Sequence, residues 1–119
     1  MDNKKKPYSI DWLVIPAPEI QKARLFYSSV FNFQLEDYSD TFTLFKTGNI
    51  SGAFDSSLKP SINSLSFSIT VDDILEVSDK IIQYGGEIIK EKYSLGGKLG
   101  FCAQFADPNG NLLELYSTK

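Results

Sequence analysis

The stretch Phe105–Tyr116, which reads FADPNGNLLELY, combines a strong turn signal with an alternating strand. Within Asp107-Pro108-Asn109-Gly110, the aspartate can bond its own backbone, proline presets φ, and Asn-Gly tolerates φ above zero, so this tetrapeptide predicts a hairpin turn. In the strand that follows, Leu113 and Leu115 share one face and Glu114 points to the other. If the two leucines pack beneath a helix, the Glu114 carboxylate lies on the opposite side of the sheet. The alternative is a solvated glutamate on an open sheet face.

Composition bounds the class of protein to which this chain belongs. With 119 residues, 42% of them hydrophobic and 23% charged, the chain is expected to fold as one domain around one core. The single cysteine, Cys102, excludes an internal disulfide and a Cys-rich zinc site, and it fits a reducing, cytoplasmic compartment. No apolar run approaches the length of a membrane span. A net charge of −3 lacks the excess of positive charge that is typical of proteins that bind nucleic acid. We expect neither a membrane nor a nucleic acid as a partner.

The sequence contains no histidine, which excludes several kinds of active site. Ser-His-Asp and Cys-His catalysis, histidine ligation of zinc or iron, and imidazole proton transfer all require this residue. Arg24 is the only arginine, so a bidentate clamp for a phosphate or carboxylate is available at one position at most. Any chemistry must therefore use carboxylates, lysine, tyrosine, Cys102 or the backbone.

Along the whole chain, one order of elements occurs twice: strand, helix and three strands. The predicted strands cover 8–15, 34–38, 41–47, 49–54, 65–71, 87–93, 99–106 and 111–117. The first predicted helix covers 19–31, and the second follows an N-cap at Asp72-Asp73 and ends at Gly85-Gly86. The fold class is α+β, with two βαβββ modules forming a curved mixed sheet around a concave cleft. We expect a single domain over 1–119, with a flexible tail at 1–7, module one at about 8–54, a linker at 55–64 and module two at about 65–117.

These residues resemble the vicinal oxygen chelate superfamily, which includes glyoxalase I, extradiol dioxygenases and bleomycin-resistance proteins. The resemblance depends on the following motifs: Ile15-Pro16, Lys22-Ala23 and Phe26-Tyr27 near the first helix, Val71-Asp72-Asp73 and Gly85-Gly86 around the second, and Phe105–Leu115 at the end. It implies paired βαβββ modules, which are commonly dimeric. It also implies a metal ion held by side chains on the first, fourth, fifth and last strands.

Carried over position by position, most of that implied metal site is missing. The first-strand position falls on Trp12 and the fifth-strand position on Ser66, while the fourth strand, Ile50–Phe54, offers no Glu, Gln or His. Only the last-strand position keeps a ligand, Glu114. One carboxylate and one hydroxyl do not form a metal cage, so we expect no metal and no cofactor. This departure argues against glyoxalase I and extradiol dioxygenase activity.

The sequence predicts a ligand-binding cleft in place of the metal site. The predicted cleft residues are Trp12, Val14, Phe54, Ser66, Ser68, Glu114 and Tyr116. The resemblance to bleomycin-resistance proteins implies a small organic ligand bound without metal at a homodimer interface, with a sequestration or resistance role. A flat aromatic side chain supplies contact area, and a carboxylate favours a cationic or hydrogen-bond-donating ligand. The alternative for Trp12 is that its indole merely fills the vacated metal cavity.

Four further interpretations come from the sequence. Glu114 is a ligand anchor, a relic, or the general acid or base of a divergent lyase or isomerase with or without a weakly held metal. The segment Ser94–Gly100 joins two strands, which makes it a mobile lid or a long turn, not a phosphate loop. Cys102 is expected to be an inert core residue of its strand. A structural or regulatory domain is favoured if aromatic side chains fill the cleft.

Overall fold

The computed structural model describes residues 12–60 and 67–119, and within them the chain forms two modules of the same design. Each module has one helix and one four-stranded mixed sheet. The first module contains β1 (Trp12–Pro16), α1 (Ile20–Phe31), β2 (Gln34–Ser39), β3 (Phe42–Thr47) and β4 (Ile50–Asp55). The second contains β5 (Ser68–Thr70), α2 (Ile74–Gln83), β6 (Glu87–Ser94), β7 (Phe101–Ala106) and β8 (Leu112–Ser117).

The strands of each module follow the same spatial order. The first sheet runs β1-β4-β3-β2 and the second runs β5-β8-β7-β6. In both sheets the first strand pairs in parallel with the last, and the remaining neighbours are antiparallel. The two predicted βαβββ modules are therefore confirmed. Within the described residues no strand pairing joins the two sheets.

Both sheets turn one face toward a single core, in which helix α1 packs on the first sheet, helix α2 packs on the second, and the two helices contact each other. The ring centroid of Tyr27 is 4.9 Å from that of Phe54 on β4, and the centroid of Phe31 is 5.8 Å from that of Phe105 on β7. Helix α1 thus contacts both modules through aromatic side chains. The uncovered face of each sheet is consequently directed away from this shared core.

We call the uncovered faces the first and second open faces. The first open face carries Trp12, Val14, Leu44, Lys46, Ser51 and Ala53, and the second carries Ser68, Thr70, Cys102, Gln104, Glu114 and Tyr116. The alternation predicted for the last strand is confirmed, because Leu113 and Leu115 are buried in the core and Glu114 is partly exposed. Four predicted features lie partly or wholly outside the described residues: the tail at 1–7, residues 8–11 of the first strand, residues 61–64 of the linker, and Ser66 of the cleft.

The Asp107–Gly110 turn forms as predicted and also ties the two modules together. The Gly110 amide donates to the Asp107 carbonyl at 2.9 Å, and Gly110 has a φ of 92°. The side chain of Asn109 accepts a hydrogen bond from the backbone amide of Glu19 at 2.6 Å and donates to the Glu19 carbonyl at 3.1 Å. Glu19 begins helix α1 without a side-chain cap of its own. The second module therefore holds the start of the first module's helix.

Asp107 is the buried centre of this connection. Its two carboxylate oxygens accept hydrogen bonds from the Tyr27 hydroxyl at 2.8 Å, from the Asn109 amide at 2.9 Å and from the backbone and side chain of Asn111 at 2.9 and 2.8 Å. Burial raises the pKa of Asp107, and the hydrogen bonds oppose that rise. The polar residues of the closing motif are thus occupied within the fold, and Glu114 is left as its outward-facing acid.

Within the described residues, neither helix is long and apolar enough to cross a membrane.

Candidate ligand-binding site

Trp12 lines an open groove on the first open face. The groove has a volume of about 340 Å³ and also contacts Gln34, Glu36, Leu44, Lys46 and Ser51. Trp12 remains 48% exposed, although it belongs to a strand of the sheet. The indole therefore presents a free surface beside a groove and does not fill a closed cavity.

The register of the strands arranges the side chains of the first open face, around the groove, in two rows. Trp12 pairs with Ser51, Ser51 pairs with Lys46, and Lys46 pairs with Gln34, which places these four side chains in line across the sheet. The neighbouring row consists of Val14, Ala53, Leu44 and Glu36. One row thus joins an aromatic ring to hydrogen-bonding groups, while the other is apolar over three of its four positions.

Glu114 occupies the middle of the second open face. Its strand partners are Ser68 on β5 and Gln104 on β7. The Ser68 hydroxyl donates to Glu114 Oε1 over 3.4 Å, which is a long hydrogen bond. The carboxylate is therefore held weakly within the chain and keeps capacity to accept hydrogen bonds from a ligand.

The hydroxyl of Tyr116 is already engaged by the chain. It donates to the carbonyl oxygen of Leu99 at 2.8 Å, and Leu99 belongs to the loop between β6 and β7. In the same loop the Leu95 amide donates to the Gly100 carbonyl at 2.9 Å. Tyr116 thus fastens the loop to the second open face, and its ring is the part that remains to contact a ligand.

Cys102 and Tyr93 lie close enough to Glu114 for electrostatic interaction. Burial raises the pKa of both groups, and the negative charge of Glu114 raises each of them further. Cys102 lies on the second open face and not in the core, yet it is only 7% exposed. A raised pKa keeps the thiol protonated near neutral pH, which opposes a role as a nucleophile.

Four predicted site residues do not lie beside Trp12 in the structure: Phe54, and Ser68, Glu114 and Tyr116 of the second sheet. Phe54 lies on the covered face of β4, is 0% exposed, and packs against Tyr27 and Phe45, so a ligand on the open face does not reach its ring. Glu114 and Ser68 are on the other sheet, behind the shared core. Val14 is on the first open face beside Trp12 and is exposed.

The position of Phe54 follows from the strand register. Phe54 pairs with Ile15, whose side chain is buried in the core, and paired residues share a face. The sequence did not reveal this, because Gly52, Ala53 and Phe54 are all buried and the strand shows no alternation. Sequence analysis also missed Lys46, Gln34 and Ser51, because only the register of β1 through β4 brings them into line with Trp12.

The residues at the implied metal positions do not fit a metal ion. An indole stands at the first-strand position, and the fourth strand presents Ser51 on the open face. Within 12–60 and 67–119 there is no group of three or more Cys, Asp or Glu side chains able to hold a metal ion. A single carboxylate such as Glu114 supplies too few ligands for Ca²⁺, Mg²⁺ or a transition metal.

Comparison with known families and structures is consistent with this geometry. The family model of the Glyoxalase/Bleomycin resistance protein/Dioxygenase superfamily matches residues 9–115. None of the curated proteins compared with the chain matches it in sequence.

Several solved structures share the fold. A glyoxalase/bleomycin resistance protein/dioxygenase family enzyme from Burkholderia phytofirmans PsJN superimposes with a TM-score of 0.79 at 20% identity, covering 92% of this chain and 98% of that chain. The fosfomycin resistance protein FosX from Listeria monocytogenes gives 0.70 at 18% identity, covering 98% and 96%. Lactoylglutathione lyase from Agrobacterium tumefaciens gives 0.69 at 19% identity, covering 95% and 96%. At such identities the likeness concerns the fold alone.

Proposed function

Because the chain belongs to the Glyoxalase/Bleomycin resistance protein/Dioxygenase superfamily, we propose that it binds a small organic molecule, without a metal ion, in a cleft between Trp12 and Glu114. The observation that carries the proposal is the half-exposed indole of Trp12 beside a groove of about 340 Å³. Large aromatic surfaces contribute much of the binding energy in ligand sites and lose little conformational entropy when they do so.

The cleft is completed by a second copy of the chain. Trp12 and Glu114 lie on open faces that the shared core separates, so one ligand cannot touch both within one chain. In a homodimer, the first open face of one copy lies opposite the second open face of its partner. The exposed apolar side chains of Trp12 and Val14 support this arrangement, since a dimer would remove part of them from water.

The chemistry of the two faces defines the ligand in outline. The first open face offers an indole and a groove, which suit a flat ring. The second offers the carboxylate of Glu114, which accepts a hydrogen bond or pairs with a cation. The role that fits a binding protein of this kind is the sequestration of an antibiotic or a metabolite in the cytoplasm.

An enzymatic alternative, a lyase or isomerase that uses Glu114, has weaker support. Proton transfer by Glu114 would call for a second titratable group matched to neutral pH. The groups whose pKa values respond to the Glu114 charge are Cys102 and Tyr93, and both pKa values are raised. Both groups therefore stay protonated near pH 7, which leaves the carboxylate without a matched partner among the described residues.

The proposal is tested by binding measurements on chelator-treated protein. Metal-free bleomycin serves as the probe, because its rings suit the groove and its cationic groups suit Glu114. Trp12 is the only tryptophan, so its fluorescence reports on the first open face alone. We expect a saturable change in emission, unaltered by removal of metal.

Matched variants separate the site from the rest of the surface. Glu114→Gln should weaken bleomycin binding by about tenfold, the loss expected when one charged hydrogen bond is removed. Glu91→Gln, which removes an exposed charge from another strand, should leave it unchanged. Stoichiometric metal in the purified protein, or equal binding by both variants and the original chain, would overturn the proposal.

A further inference from the structure

We propose that the ligand of this cleft is an aromatic anion, with its ring on Trp12 and its anionic group on Lys46. This inference rests on the proposed function and specifies the class of ligand that the first open face selects. It depends on the side chains that share a row with the indole.

The register of three strands sets the geometry of this row. Trp12 on β1 pairs with Ser51 on β4, and Ser51 pairs with Lys46 on β3. Neighbouring strands are about 4.8 Å apart, so the backbones of Trp12 and Lys46 are separated by roughly 10 Å. The Lys46 side chain is long enough to turn back over the small Ser51. A fused aromatic ring with one charged substituent spans this distance.

Lys46 brings to the groove a positive charge that takes part in no ion pair within the described residues. The ion pairs within the described residues are Lys22 with Glu19, at 3.1 Å, and Arg24 with Asp37, at 3.0 Å. Lys46 takes part in neither, so within that part of the chain its ammonium group has no ion-pair partner. An ammonium group offers three donors, which a carboxylate or phosphonate accepts well.

Two neighbours in the row add further donors. Gln34, the strand partner of Lys46, carries an amide NH₂ group, and Ser51, its partner on the other side, carries a hydroxyl. All three side chains line the same groove as the indole. Together the three side chains place groups that can donate hydrogen bonds to an anion beside a ligand ring that lies on Trp12.

Glu36 lies in the same groove and would favour a cation instead. Its strand partner, however, is Leu44, and its row continues through Ala53 to Val14. A ring on Trp12 therefore has Lys46 in its own row, two strands away, and Glu36 in the adjacent row. This placement favours an anionic substituent on the ring, and any positive or donor group of the ligand is left to Glu114.

The test uses two probes that differ in charge. In a proton–nitrogen correlation spectrum, the single indole N–H of Trp12 gives one peak. Chelator-treated protein is titrated with 1-naphthoate and, separately, with 1-naphthylmethylamine, whose ring is the same and whose charge is opposite. We expect a saturable shift of the indole peak with 1-naphthoate and binding at least about fivefold weaker with the amine.

Lys46→Gln removes the charge and keeps most of the side chain. It should weaken 1-naphthoate binding by about tenfold and leave the amine unaffected. Lys80→Gln, on the exposed side of α2, is the control and should bind both probes as the original chain does. A well-dispersed spectrum shows that each variant is folded.

The possible outcomes separate this inference from the proposed function. If both probes bind equally well and Lys46→Gln changes the binding of neither, the assignment of an anionic ligand is wrong, but the proposal of a ligand site at Trp12 is retained. If neither probe shifts the indole peak, the inference is overturned as well. If the probes bind as expected but Glu114→Gln has no effect on bleomycin binding, the anion site survives and the two-faced cleft fails.

Discussion

Tyr27 and Asp107 show how single residues of the closing motif serve the fold. The Tyr27 hydroxyl donates to Asp107 at 2.8 Å, and both side chains are buried. Burial raises the pKa of Tyr27 well above its ordinary value, and the charge of Asp107 raises it further. The phenol thus stays protonated in the folded protein at a pH where the unfolded chain would release its proton.

Replacement of Tyr27 by phenylalanine should therefore have an effect that depends on pH. At pH 7 we expect a loss of about 1–3 kcal/mol in the free energy of unfolding, because a donor to a buried carboxylate disappears. In the original chain, the stabilisation linked to the raised pKa is complete below about pH 10 and is lost as the pH rises toward the folded-state value.

The measurement is urea unfolding of both proteins at pH 7 and at pH 10.5. The difference in the free energy of unfolding between the original chain and Tyr27→Phe should be smaller at pH 10.5 than at pH 7. Tyr38→Phe is the control, since Tyr38 is 73% exposed and should show no gap at either pH. If the loss of stability in Tyr27→Phe is the same at pH 7 and at pH 10.5, the raised pKa of Tyr27 is contradicted.

Individual residues also mark where the sequence could not reveal the site. Trp12, Val14 and Glu114 were assigned to the cleft by alternation, and the structure places each on the face of its sheet that is turned away from the core. Their contact with a ligand stays a prediction. Phe54 was assigned to the cleft and is in the core, since cross-strand register and not alternation decides its face. Register depends on pairing between distant segments, which a single sequence does not display.

At the scale of elements, local signals set the helices and strands to within a few residues. The first helix was predicted over 19–31 and spans Ile20–Phe31. Asp73 caps α2 as expected, its side chain accepting from the amides of Leu75 and Glu76 at 3.0 and 3.2 Å. Caps, turns and periodicity act over short distances, so the sequence carries them directly.

The contact between Asn109 and helix α1 was not predictable in the same way, because it joins residues 90 positions apart. Asn109→Ala should lower the free energy of unfolding by about 1–3 kcal/mol, as two hydrogen bonds to the backbone of Glu19 are lost. Thermal unfolding followed by circular dichroism measures the change. Asn49→Ala, in an exposed turn, is the control, and equal stability of the two variants would rule out the connection between modules.

The loop that joins β6 to β7 gives a second prediction at this scale. Tyr116→Phe removes the hydrogen bond to the Leu99 carbonyl. Gly96, Gly97 and Gly100 all have positive φ, so the released loop has conformations open to it that other residues would restrict. Amide hydrogen exchange at Leu95 should become severalfold faster, while exchange in α2 stays the same. Unchanged exchange at Leu95 would show that Tyr116 does not hold the loop.

At the scale of the whole molecule, the repeated order of elements predicted two modules, and the structure confirms them. The sequence did not indicate how the modules pack. Helix α1 contacts Phe54 of one sheet and Phe105 of the other, which directs the open faces away from each other. This packing depends on long-range contacts among buried rings, and it is the reason why the cleft is proposed to need two copies.

The proposed homodimer should be detectable in solution. Sedimentation should give a mass near twice 13.3 kDa at micromolar protein. Val14→Glu, which places a charge on the first open face, should shift the protein toward the monomer without unfolding it. A monomer under all conditions would remove the basis for a shared cleft.

The most direct measurement asks whether Trp12 of one copy meets position 114 of its partner. In a chain carrying Cys102→Ser, Glu114→Cys and Trp12→Phe, the new thiol is the only cysteine and carries a bimane fluorophore that tryptophan quenches on contact. This labelled chain is mixed with an excess of the original chain or, as the control, of Trp12→Phe. The account predicts quenching only with the partner that contains Trp12, and equal emission with both partners would contradict it.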